Sequence, residues 1–280
     1  LKRARPKIRL DQLLHRQRPE LSRNRVQAEI MAGKVLVDGS ICDKPGTLIE
    51  ENADIKLLEP KNPYVSRGGL KLEGALLDLS LEVKDLIVLD VGASTGGFTD
   101  CLLKKGARLV YALDVGYGQL DFKLRHNPQV VIMESFNVRL LKPQDIPTIP
   151  DLAVVDVSFI SLIKVLPVLA QLNIPAVLAL VKPQFEVGRS EAGRGKGVIR
   201  DPKLHFNVLN ENVAAALKLG YYCRGITYSR FPGPKGNVEY FVYYKYMDVE
   251  PDFLQKTCVN TEDIKKVIDQ AHSLFIDKKK

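Results

Sequence analysis

The run Leu89-Asp90-Val91-Gly92-Ala93-Ser94-Thr95-Gly96-Gly97-Phe98 is the part of this 280-residue sequence most suggestive of chemistry. It follows an apolar stretch and opens a helical one, the junction at which ligands bind in open α/β sheets. Small residues let the main chain come close to a bound molecule, and free amides at a helix start favour polar or anionic groups. The pattern is not Gly-x-Gly-x-x-Gly, because Ser94 stands where the middle glycine would be. Asp90, Gly92, Ser94, Gly96, Gly97 and Phe98 are therefore candidate cofactor contacts. Asp114 ends the next apolar stretch, roughly 20 residues on, where a carboxylate can hold both hydroxyls of a nucleotide ribose. Asn137 follows the third stretch and is placed to touch an adenine, although a plain loop asparagine reads equally well. Asp156 and Lys182 end the fourth and fifth stretches, at the carboxyl edge where a ligand crevice forms. Lys71 comes one helical turn after Gly68-Gly69, and Glu239 opens the last apolar stretch. Singly, Lys71 and Glu239 say little.

The elements that must position these residues show in the periodicity. Apolar runs at 86–91, 109–113, 130–133, 152–157 and 177–181 alternate with helical stretches such as 162–172 and 205–219. Such alternation predicts a doubly wound α/β sheet with helices on both faces. Two further β-type runs, 221–230 and 238–246, close the pattern, and 261–276 reads as a helix capped by Thr261. Ahead of it, 9–18 and 22–32 read as helices, the second capped by Ser22 and stopped by Gly33. Short β-type runs at 34–37 and 40–42 hinge on Asp38-Gly39, and 54–58 supplies another. The expected organisation is an N-terminal α+β unit at 1–58, a linker at 59–63, the α/β domain at 64–250, and a helical extension at 251–280.

Net charge is +8, and residues 1–25 alone hold nine Lys/Arg against Asp11 and Glu20. So concentrated an excess is the footprint of a polyanion-binding module. Arg9, Arg16, Arg18, Arg23 and Arg25 are the candidate phosphate contacts there. Arg189, Arg194 and Lys196, in a glycine-rich loop, form a second basic candidate set. The four cysteines stand far apart and the histidines are scattered, which predicts neither a zinc site nor a disulfide framework and suits a reducing cytosol. No apolar stretch reaches the 18 or more residues of a spanning helix, and no apolar signal core follows the basic start. A soluble cytoplasmic protein with no membrane partner is expected.

Residues 9–11, 22–23, Ile30, Gly33, Val35, Val37 and Asp38-Gly39 resemble the small RNA-binding module of the ribosomal protein S-four type. The Asp-x-Gly-x-x-x-Gly-Gly run at 90–97 resembles a loop for S-adenosylmethionine. The closing strand pair is typical of the methyltransferase variant of the Rossmann fold. Lys71, Asp156, Lys182 and Glu239 match, in order and context, the Lys-Asp-Lys-Glu tetrad of RNA 2′-O-ribose methyltransferases of the FtsJ class. The runs at 64–72, 90–103, 114–120, 156–162 and 181–186, behind a basic module, resemble the TlyA rRNA methyltransferases, also called haemolysin A, over roughly residues 8–246. The fold implied is a Rossmann-like class I methyltransferase sheet with a small N-terminal α+β RNA-binding domain. The activity implied is methylation of cytidine 2′-hydroxyls in ribosomal RNA of the small and large subunits.

The chemistry of the residues agrees. A ribose hydroxyl must lose its proton as it attacks a sulfonium methyl, and a lysine can take that proton once burial and a neighbouring cation depress its pKa. Lys182 is the candidate base and Lys71 the neighbouring cation, with Asp156 and Glu239 orienting them. The sulfur leaves neutral, so the transfer calls for no metal. Base-carbon methylation uses a nucleophilic cysteine, often after proline, and none of Cys42, Cys101, Cys223 and Cys258 follows one. Exocyclic-amine methylation uses Asn/Asp-Pro-Pro-aromatic, where this chain has Asp156-Val157-Ser158-Phe159. The rival readings are a membrane-active haemolysin, which would need an amphipathic or spanning segment, and an idle rRNA-binding assembly factor. The basic cluster makes a first prediction. Removing residues 1–58 should weaken binding to ribosomal RNA and flatten its dependence on salt. Equal affinity and an equal salt slope for the shortened chain would reduce the cluster to a solubilising tail.

Overall fold

A computed structural model describes residues 6–58, 62–188, 197–246 and 258–276. The chain divides into two compact units, Leu1–Pro63 and Tyr64–Lys280.

In the first unit, α1 (Leu10–Gln17) and α2 (Arg23–Met31) pack with five short strands. Strand β2 (Val35–Val37) pairs with both β3 (Ser40–Ile41) and β5 (Ile55–Leu57), while β1 (Lys7–Arg9) pairs with β4 (Leu48–Glu50). The Ser22 hydroxyl accepts the Arg25 N–H and caps α2, as its position predicts. Asp38 and Gly39 both have positive φ, 48° and 80°, as a type I′ hairpin turn requires. Strands β1 and β4 escape the periodicity analysis, because three-residue strands carry too little alternation to detect. What holds them is cross-strand pairing between distant segments, Ile8 opposite Ile49. Leu10, Leu13, Leu14, Val26, Ile30, Val35 and Ile49 form this unit's own core.

The second unit is a seven-stranded sheet. Its strands are β6 (Ile87–Val91), β7 (Leu109–Leu113), β8 (Val130–Met133), β9 (Leu152–Val155), β10 (Ala176–Val181), β11 (Tyr221–Tyr228) and β12 (Tyr240–Tyr246), in spatial order β11-β12-β10-β9-β6-β7-β8. The pairings among β6 to β10 are parallel, and β12 runs antiparallel to both its neighbours. Strands β6, β9 and β10 are buried along their whole length, which explains their uninterrupted apolar composition.

The alternating pleat sorts these strands' side chains onto two faces. Leu89, Val91, Val177, Ala179 and Val181 pack with α6 (Leu166–Gln171), α8 (Pro202–Leu217) and α9 (Thr261–Phe275). Val88, Leu178, Leu180 and Phe241 pack against α3 (Arg67–Asp78) and α4 (Gly97–Lys104) on the other face. This is the predicted α/β sandwich.

Three boundaries differ from expectation. Helix α8 begins at Pro202, since Asp201 caps it by accepting the Lys203 N–H and proline suits the first turn. The helix foreseen at 162–172 splits into a 3-10 turn at Leu162–Lys164 and α6, which carries Pro167 in its first turn. The cap of α9 is Asn260 rather than Thr261: its side chain accepts the N–H groups of Glu262 and Asp263, and Asp263 reciprocates. Ile264, Ile268 and Ala271 of α9 belong to the main core, so this helix is part of the sheet unit rather than an appendage to it.

The separate cores generate the second prediction. Ile30→Ala should cost about 2–5 kcal/mol, by leaving a cavity at a fully buried site. Hydrogen exchange should then quicken at β2 and β5 amides and stay unchanged at β6 and β10. A uniform acceleration would mean that the two units unfold as one.

Candidate active site

The topological switch point of the sheet lies between β6 and β9, where consecutive crossovers run in opposite directions. Ligands bind at the carboxyl ends of the strands at such a point. After Val91 the chain turns through Gly92 (φ 89°) and Gly96 (φ 91°) before α4. A Cβ at Gly92 would stand 2.4 Å from the main-chain oxygen of Asp156, so a glycine is needed for the ends of β6 and β9 to meet. At Gly96 a Cβ would stand 2.2 Å from Leu124, in the short α5 (Phe122–Arg125). Gly96 therefore makes room for packing, and the adjacent Gly97 lines one of the site's cavities. The Asp114 carboxylate accepts the Ser94 N–H (2.8 Å) on one oxygen and the Gly116 N–H (2.7 Å) on the other. That pins the end of β7 to the loop.

Two cavities open on this edge and share Gly92, Ser94, Asp156, Ser158 and Phe159. One, of about 470 Å³, is lined also by Asp114, Asn137 and Arg139. The other, of about 510 Å³, is lined also by Gly97, Phe98, Lys71, Lys182 and Glu239. The four charged residues that sequence order assembles into a tetrad thus line one cavity.

They stand as two ion pairs. Lys71 Nζ, on α3, lies 2.6 Å from Glu239 Oε2, and Lys182 Nζ lies 2.5 Å from Asp156 Oδ1. The Glu239 side chain is fully buried and that of Lys71 is 13% exposed. Lys71, expected as the cation neighbouring Lys182, carries its own carboxylate, as Lys182 does. Burying an unpaired ammonium is costly, so pairing is what permits both lysines in one cavity.

Other candidates are placed as follows. Asn137 Oδ1 accepts the Arg139 N–H and caps a 3-10 turn, while the side chain still lines the first cavity. Arg9, Arg16 and Arg23 line a cavity of about 440 Å³ in the first unit. Arg9 pairs with Asp11, Arg16 with Glu51, Arg18 with Glu20 and Arg25 with Glu29. The Arg16–Glu51 and Arg18–Glu20 pairs are exposed and weak, so those two arginines remain open to exchange for phosphate, whereas the Asp11 and Glu29 carboxylates are buried. Arg189, Arg194 and Lys196 lie outside the described residues.

Sequence reasoning missed three residues at the site. Ser158 shares a hydrogen bond with Lys182 Nζ at 3.1 Å. Gln184 donates to Glu239 Oε1 at 3.1 Å. Phe159 is 89% exposed at φ 65°, its ring 4.8 Å from that of Phe185. A bulky residue held at positive φ is strained, and no composition signal announces it. Gln184 stands two positions from Lys182, and that proximity is the one signal that could have pointed to it.

Comparison with known proteins agrees with this geometry. Residues 64–246 match the FtsJ-like methyltransferase family, and residues 8–55 match the S4 domain. The chain is 44% identical over 230 residues to the 16S/23S rRNA (cytidine-2'-O)-methyltransferase TlyA of Mycobacterium tuberculosis, covering 80% of this chain and 85% of that one. It is 40% identical over 240 residues to Hemolysin A of Brachyspira hyodysenteriae, covering 85% and 99%. A solved Streptococcus thermophilus protein that carries a hemolysin name is 41% identical, with a TM-score of 0.73 and 99% of each chain covered. No helix among the described residues is long and apolar enough to cross a membrane.

Asp90, expected as a cofactor contact, lies beneath the loop. It is fully buried and lines neither cavity, and its Oδ2 accepts the Thr99 hydroxyl at 2.7 Å. Burial, aided by the Asp156 and Asp114 charges, pushes its carboxyl from an ordinary 3.8 up to about 7. The folded protein then holds a proton that the unfolded chain has released. This contribution to stability is present at low pH and is lost as pH rises through about 7. Asp90→Asn should remove that dependence. Denaturant titrations from pH 5 to 8 should therefore show the variant gaining on the wild type as pH rises, and a constant difference would contradict the buried, protonated carboxyl.

Proposed function

We propose that this chain, which belongs to the FtsJ-like methyltransferase family and within it to the TlyA proteins, transfers a methyl group from S-adenosylmethionine to a ribose 2′-hydroxyl of ribosomal RNA. The observation that carries the reading is the pair of lysines, each held by a carboxylate, in a cavity continuous with the 92–98 loop. Cytidine is the nucleotide named for the Mycobacterium tuberculosis relative, and the same target is proposed here.

The residues present fit S-adenosylmethionine. The Asp114 oxygens each accept one main-chain N–H and keep capacity for the two ribose hydroxyls. Asn137 spends its oxygen on a cap, which leaves its amide nitrogen for an acceptor on the adenine. Gly92, Ser94 and Asp156, shared by both cavities, mark where cofactor and substrate would meet. When bound, this cofactor supplies an electrophilic methyl on a cationic sulfur that departs neutral.

The chain's own residues supply the rest. In its neutral amine form Lys182 accepts the 2′-proton as the oxygen attacks, held in place by Asp156 and Ser158, and the Asp156 carboxylate balances the ammonium that results. Lys71, fixed by Glu239, presents a positive charge to the oxygen while it carries negative charge in the transition state. Exposed Phe159 beside Phe185 offers a face on which a base can stack at the mouth of the cavity. The arginines of the first unit supply phosphate contacts, and the cytoplasm is the proposed compartment of the reaction. Arg189, Arg194 and Lys196 are proposed as further RNA contacts from sequence alone.

Lys182→Ala should leave cofactor and RNA binding nearly intact while single-turnover methylation falls about 10²-fold or more. Lys182→Arg should fail as badly, because guanidinium does not give up its proton near neutral pH. Near-normal rates in the arginine variant would reduce Lys182 to a source of charge. Mapping of 2′-O-methyls in ribosomal RNA, from cells with and without the gene, identifies the nucleotide.

A further inference from the structure

Glu239 is the most completely buried member of the tetrad, and two groups besides Lys71 define where its carboxylate stands. Gln184 follows Pro183 in the short helix α7 (Pro183–Glu186), directly after β10, and its Nε2 donates to Glu239 Oε1 at 3.1 Å. The opposite amide orientation would set oxygen against carboxylate, so the hydrogen bond itself selects the orientation. Gln184 Oε1 is buried with no hydrogen-bond partner among the described residues, so the bond from Nε2 is the one that orients the amide. On another side stands Gly233, where a Cβ would lie 2.0 Å from Glu239 Oε1. Gly233 has φ −70°, which any residue adopts. The demand for glycine there comes from the carboxylate and not from the backbone.

We propose that Gln184 and Gly233 form a clamp that positions the Glu239 carboxylate and, through it, Lys71 for methyl transfer. This rests on reading the site as a 2′-O-methyltransferase centre. With Oε1 occupied by the Gln184 amide, Oε2 is the oxygen presented to Lys71, and the ammonium is drawn to one point in the cavity. Lys182 and Gln184 flank Pro183, so one rigid turn serves both ion pairs: Lys182 enters one itself, and Gln184 sets the carboxylate of the other. Gln184 and Gly233 are positioning residues, since both act through Glu239.

Gln184→Met keeps the volume and removes the donor, and Gly233→Ala adds one methyl group against the carboxylate. Each should lower the single-turnover methylation rate by about 10-fold to 10²-fold, as misplacement of a catalytic group does, with S-adenosylmethionine and RNA affinities unchanged. In a Lys71→Ala background both substitutions should have no further effect, because the residue through which they act is gone. A merely structural role would lower rates by the same factor in both backgrounds, and that additivity would overturn the clamp. So would a wild-type rate in Gln184→Met. Should Gln184→Met fail to fold, Gly233→Ala decides alone, since that position lies in a partly exposed loop. A wild-type protein that transfers no 2′-methyl to ribosomal RNA would overturn the functional reading and the clamp together. An active wild type with unaffected variants overturns only the clamp.

Discussion

Two lysine side chains in one cavity are the constraint on which this structure turns. Each needs a carboxylate, and neither carboxylate is local. Lys71 and Glu239 stand 168 positions apart, the first on a helix before the sheet begins and the second at the start of its last strand. Lys182 and Asp156 follow adjacent parallel strands. The Lys71–Glu239 pair therefore forms only once the last strand has joined the sheet, whereas the Lys182–Asp156 pair needs only its two neighbouring strands.

The antiparallel β12 has a specific part in this. Running opposite to β10, it brings its beginning to the carboxyl edge where the parallel strands end, with Tyr240 opposite Val181. Glu239 immediately precedes Tyr240 and so arrives beside the turn after β10. A parallel strand in that place would have delivered Glu239 to the far edge of the sheet. The reversed strand thus puts a residue from the end of the unit beside one from its start.

The glycine loop contributes differently. Gly92 and Gly96 both occupy the left-handed region, yet the neighbours that exclude a side chain are Asp156 and Leu124, both parts of the protein. The loop's shape is set by the close approach of β6 to β9 and of α4 to α5, and the space for a ligand is what that packing leaves over. Its link to Asp114, through the Ser94 amide, then fixes that carboxylate, the proposed ribose contact, relative to the carboxyl edge of the sheet.

The alternation of apolar and helical stretches, read from the sequence alone, was enough to establish the α/β sheet and the residues at its strand ends. Strand ends at the carboxyl edge follow from strand order, and order follows from the parallel crossovers that alternation implies. Gly92, Asp114, Asp156 and Lys182 were legible for that reason, and the Asp38-Gly39 hairpin because its turn chemistry is local. Only the tertiary structure decided which carboxylate each lysine takes, that Asp90 is buried beneath the loop, and that Gln184 and Gly233 bound the Glu239 carboxylate. Those outcomes depend on distances between segments far apart in the chain, and one-dimensional periodicity carries no such distances. Strands β1 and β4 stayed hidden for the same physical reason: pairing with a remote partner, and not local propensity, makes them strands.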